Sequence, residues 1–213
     1  MSPRPAAVRT FEQALADWLT SFTAPESLAA EMADACANGA AWAAAIAGVA
    51  VRRVEWPDAE AITWGLCVGG CAGALEAGRR SLETTSAPGA PAASGPARPL
   101  LASDGLIAAA HETLGSLPPD RARTALAALA REFGDGGPWR SLTATRPRPA
   151  WVALVPCALG PAAEADPAGP WEAWAEAWRA GRDQPTKDAA LWNHPAADPE
   201  TRALLRSAAD ARA

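Results

Sequence analysis

Residues 57–82 read PDAEAITWGLCVGGCAGALEAGRRSL, and this stretch decides the fold class. Pro57 and Asp58 open it as a helix start, because a proline lacks only an N–H that would have no partner in a first turn. No further proline interrupts the run to Leu82, so the spacing predicts one long helix. Gly65, Gly69 and Gly73 recur along it every four residues, with Cys67, Gly70, Cys71 and Ala72 beside them. Glycine in a helix interior costs about 1 kcal/mol against alanine. Its repetition on one face therefore points to very close approach, either by another helix or by a bound chain.

Working outward from this helix, the pattern stays helical. Upstream, Phe11, Leu15, Trp18, Leu19 and Phe22 recur at helical spacing and predict a first amphipathic helix that ends before Thr23. A second is expected over 26–37, stopped by Asn38 and Gly39, and a third over 41–53. Downstream, residues from about 84 to 100 are rich in Ser, Pro, Gly and Ala and predict a flexible loop. A fifth helix is expected from near Ser103 to Gly115, and a sixth from Pro118-Pro119-Asp120 through Phe133. After a second flexible loop at about 135–149 come a short helix over 149–159, another over 170–182 and a last one over 198–211. The expectation is an all-α chain whose residues 1–213 form a single helical domain.

Composition agrees. Hydrophobic residues make up 49%, much of that alanine, and tyrosine is absent, which suits helices better than sheets. A net charge of −5 leaves no basic field for a phosphate backbone, so nucleic acid is not an expected partner. The apolar stretches 35–51 and 59–75 are built mainly from Ala and Gly and fall short of the roughly 18 strongly apolar residues of a membrane span. The first ten residues carry Pro3, Arg4, Pro5 and Arg9 with no apolar run behind them, so a cytoplasmic location is expected.

The four cysteines, Cys36, Cys67, Cys71 and Cys157, include no CxxC pair, and the two histidines, His111 and His194, lie far apart, so a zinc site is not expected. Cys67 and Cys71 stand one helical turn apart on one face, a spacing that suits small core residues, a metal or a redox pair. His111 has no sequence neighbour that would position it as a base and reads as structural or surface. Trp171, Trp174 and Trp178 form a stripe at helical spacing, either core or an anchor for a partner.

One segment carries a family resemblance. Residues 100–110, LLASDGLIAAA, followed by LPPDRA at 117–122 and an Ala/Leu-rich helix, resemble the corresponding segment of the trans-isoprenyl diphosphate synthases, the polyprenyl synthetases. The likeness runs over roughly residues 38–190 and implies a single-layer-core helical bundle resembling the isoprenoid synthase fold, without that fold's C-terminal helices.

The resemblance also shows what is lost. Catalysis in that family uses magnesium held by two aspartate-rich motifs, each ion needing several hard oxygen ligands. The first motif falls on LEAGRRSLE at 75–83, where Glu76 and Glu83 are the candidate ligands and Arg79 and Arg80 would repel a metal while still able to meet a phosphate. The second falls on GRDQPTKD at 181–188, where Asp183 and Asp188 are separated by Pro185. The family's basic diphosphate clamp is replaced by Asn38-Gly39-Ala40-Ala41-Trp42. The prenyl chain in that family grows beside the long helix, which gives the face of Gly65, Gly69 and Gly73 a second reading as a prenyl pocket beside that of helix packing.

The resemblance therefore implies a catalytically degenerate protein with no cofactor, a non-catalytic or regulatory subunit acting in isoprenoid biosynthesis with a protein partner, either an active prenyl diphosphate synthase or a second copy of itself. Two alternatives stay open. One is a helical scaffold with no isoprenoid role; the other is a divergent prenyltransferase that would hold magnesium through Glu76, Glu83, Asp183 and Asp188.

Overall fold

A computed structural model of the chain describes residues 6–22, 25–37, 57–86 and 97–134, together with Leu154, Cys157, Leu159, Gly160, Pro161 and Ala173. Every regular element among the described residues is an α-helix: α1 (Ala6–Thr20), α2 (Glu26–Ala37), α3 (Asp58–Ser86), α4 (Ala97–Gly115) and α5 (Pro119–Gly134). The separate residues from Leu154 to Pro161, and Ala173, are helical too. The helices expected over 41–53 and 198–211, most of that over 170–182, and the loop at 135–149 lie outside the described residues.

Prolines set three of the helix starts. The Pro25 carbonyl accepts from the amides of Leu28 and Ala29 at 2.8 and 2.9 Å, that of Pro57 from Ala61 at 3.0 Å, and that of Pro118 from Ala122 at 2.8 Å. Asp58 and Glu60 in the first turn of α3, and Asp120 in that of α5, add negative charge at the positive end of each helix dipole.

Two boundaries differ from the sequence expectation. The long helix continues past Leu82 to Ser86, and α4 starts at Ala97, well ahead of Ser103, so both edges of the loop expected at about 84–100 are helical. The reason is local. Thr84, Thr85 and Ser86 each cost only a few tenths of a kcal/mol in a helix, and Pro99 falls in the first turn of α4, where no amide has an intrahelical acceptor.

The core is built on α3 and α4, which run antiparallel: a Cβ placed on Gly70 would touch Ala110, one on Gly73 would touch Leu106, and one on Gly78 would reach Ser103. Trp64, Val68, Ala72 and Leu75 of α3 and Ala102, Leu106, Ala109 and Leu114 of α4 are buried. Helix α2 packs on both, with Met32, Ala35 and Cys36 buried. From α1, Trp18 donates its indole N–H to Thr113 Oγ1 at 2.7 Å, while that hydroxyl donates to the Ala109 carbonyl at 2.8 Å. The bond fixes the indole over α4, and Phe22 meets its ring edge-on at 5.1 Å.

A short turn at Ser116 and buried Leu117 leads into α5, whose Ala125, Ala128, Leu129 and Glu132 are buried. Leu154, Cys157 and Leu159 are buried as well, and Gly160 is set directly against Ala128 of α5. No helix among the described residues is long and apolar enough to cross a membrane.

Candidate functional site: an apolar cavity beside an ion-paired helix

Near its C-terminal end α3 carries Glu76, Arg79, Arg80 and Glu83, spaced three and four apart so that they share a face. Arg79 forks onto Glu76, Nε donating to Oε2 at 3.0 Å and Nη2 to Oε1 at 2.5 Å, and its Nη1 donates to Glu83. Arg80 reaches off the helix to α2, where it pairs with Asp34 and, at 3.5 Å, with Glu31, while its Nε lies 3.4 Å from Glu76. Glu76 is the most buried partner, its side chain 14% exposed against 60% for Glu83. A two-pronged guanidinium on a partly buried carboxylate is among the stronger protein hydrogen bonds, roughly 1.5–3 kcal/mol. A divalent cation seeking Glu76 must displace it and then sit beside two positive charges.

The second feature is a cavity of about 370 Å³ between α3, α4 and α5. From α3 it is lined by Cys67, Cys71, Ala74, Leu75 and Gly78; from α4 by Ser103, Ile107, Ala110, His111 and Leu114; from α5 by Leu126, Leu129, Ala130 and Phe133. The lining residues of α3 span roughly 16 Å of helix at 1.5 Å per residue. The cavity opens to solvent where Ile107, Leu126 and His111 are exposed. Its walls are almost wholly hydrocarbon, the polar atoms being two thiols, one hydroxyl and one imidazole. A cleft of this size and character suits a single apolar chain.

Its polar groups are held in place. The Cys67 thiol donates to the Cys71 sulfur, which pushes the Cys67 pKa up and draws that of Cys71 down. Cys157 also lies close enough to Cys67 to raise it further. Burial pushes the Cys36 thiol, on the other side of α3, up to about 12. His111 Nδ1 lies 2.9 Å from the Ile107 carbonyl; with Nδ1–H donating to it, Nε2 carries the free lone pair.

The face of Gly65, Gly69 and Gly73 looks elsewhere. All three are buried, and Gly73 lies against α2, where a Cβ would stand 2.5 Å from Cys36 Sγ and 3.1 Å from Leu106 Cδ1. The Gly69 carbonyl is 3.9 Å from the same sulfur. At Gly69 and Gly73 this face meets Cys36 of α2, and the cavity is lined by other positions of the same helix. Those positions were marked in sequence only by Cys67 and Cys71. Leu126, Leu129, Ala130 and Phe133 also recur at helical spacing, but nothing local says that they face α3 across a gap. Asp183, Asp188, Trp171, Trp174 and Trp178 lie outside the described residues. Among the described residues no three of His, Cys, Asp and Glu group as a metal site.

Comparison with protein-family models, with curated proteins and with solved structures returns no match to this chain.

Proposed function

We propose that this chain is a catalytically silent protein of the prenyl diphosphate synthase type, which acts with an active synthase rather than turning over diphosphates itself. One observation carries the reading: at the place where the resembling family puts its first magnesium-binding motif, Glu76 and Glu83 are both engaged by Arg79, and Arg80 ties Glu76 to α2. Magnesium demands near-octahedral oxygen ligands and gives up its water reluctantly, so carboxylates already neutralised by guanidinium groups make a poor site. Loss of that site removes the charge stabilisation on which diphosphate ionisation depends, usually the largest catalytic term.

The apolar cavity beside this helix supports the isoprenoid side of the reading, because a hydrocarbon-lined cleft has a use in a protein that meets prenyl chains or the proteins that make them. The test is calorimetric titration of the purified chain with farnesyl diphosphate and magnesium, together with sedimentation of the chain mixed with a full-length synthase. No magnesium-dependent binding and a stable heteromeric species are expected. Tight magnesium-dependent binding would make the chain a divergent prenyltransferase, and absence of both binding and complex would make it a scaffold.

A further inference from the structure

Of the four thiols, three are closed off: Cys36, Cys67 and Cys157 are 2%, 1% and 0% exposed. Cys71 alone is half-buried, and what it borders is the apolar cavity. Nucleophilic sulfur needs a thiolate and access. The Cys67 thiol, donating to the Cys71 sulfur, favours the thiolate there, and the exposed mouth at Ile107, His111 and Leu126 supplies the access. His111 lines the same cavity from α4, its Nδ1 held 2.9 Å from the Ile107 carbonyl. An apolar cleft bordered by a half-buried thiol matches a molecule with a hydrocarbon tail and a thiol-reactive head.

We propose that Cys71 is a site of S-acylation, its sulfur taking the acyl group of a long-chain acyl thioester while the alkyl chain of that group fills the cavity between α3, α4 and α5. The step balances without oxidant or reductant. Cys71 Sγ attacks the thioester carbonyl, a new C–S bond forms, the donor's own C–S bond breaks, and the departing thiolate takes up the proton that Cys71 gave away. The proposal stands on the cavity and its thiols and does not depend on any prenyl-synthase role.

The full chain is incubated with tetradecanoyl-coenzyme A at neutral pH and its intact mass followed, with acetyl-coenzyme A as the short-chain comparison. The expected result is one added acyl group per chain, removed by hydroxylamine, absent in Cys71→Ser, retained in Cys157→Ser and formed far more slowly from the acetyl donor. Because a substitution in the wall could disturb folding, the wild-type chain is also labelled first with N-ethylmaleimide. Label on Cys71 alone must abolish acylation. No adduct, an adduct that persists in Cys71→Ser, or equal rates from the two donors would overturn the proposal.

Discussion

Gly73 shows how one missing carbon sets a helix contact. A Cβ there would stand 2.5 Å from Cys36 Sγ, a short buried side chain whose own Cα is only 3.6 Å away, so neither α2 nor the sulfur has room to give. Gly73→Ala is expected to lower stability by about 1–3 kcal/mol despite the better helix propensity of alanine. Adding Cys36→Ala should restore part of that loss in a double-mutant cycle read by urea denaturation. Gly78 is the contrasting case. Its nearest neighbour would be Ser103 Oγ at 4.0 Å, so Gly78→Ala should raise stability by about 0.5–1 kcal/mol in the same assay. The sequence marked the small-residue face through its four-residue recurrence, but which of its glycines meets a neighbour depends on where α2 lies, and local spacing does not encode that.

Cys36 also couples stability to pH. Its thiol, ordinarily near 9, is pushed to about 12 by burial, so above pH 9 the unfolded chain releases a proton that the folded chain keeps. The contribution is therefore complete below pH 9 and is lost progressively between 9 and 12, at about 1.4 kcal/mol per pH unit. Denaturation from pH 8 to pH 10.5 should show this fall in the wild type and a shallower one in Cys36→Ala.

At the scale of elements, the two arginines of α3 differ in kind. The Arg79 pairs lie within one helix at spacings of three and four, although in the sequence Arg79 reads only as repelling a metal or meeting a phosphate. Arg80 joins α3 to α2 through Asp34, 46 residues away, a pairing that only the packing of the two helices creates. Helix α5 depends on a different joint, the apposition of Gly160 and Ala128, where an added Cβ would come within 2.8 Å. Gly160→Ala should loosen α5 before the α3–α4 pair. In hydrogen exchange by mass spectrometry, peptides from α5 are expected to lose protection while those from α3 keep it, because local openings follow the weakest packing. Uniform loss across both helices would show that α5 is no separate unit. The start of α4 was hidden by composition: a Ser-, Pro- and Gly-rich stretch reads as loop, yet a proline in a first turn costs a helix little.

For the molecule as a whole, the all-helical character of the described residues was legible because alanine-rich composition and apolar spacing of three and four point the same way. The cavity was not legible, since its walls come from three helices and its width depends on how far α5 stands from α3. Among the described residues, paired carboxylates on α3 stand beside a hydrocarbon-lined cleft, and the proposed reading is of a protein that meets apolar chains without holding magnesium. The most direct measurement of that claim is product analysis with isopentenyl and farnesyl diphosphates and magnesium, using the chain alone and then mixed with a full-length prenyl synthase. No product is expected from the chain alone, and an altered rate or chain length from the mixture. Turnover by the chain alone, or a mixture indistinguishable from the synthase by itself, would contradict it.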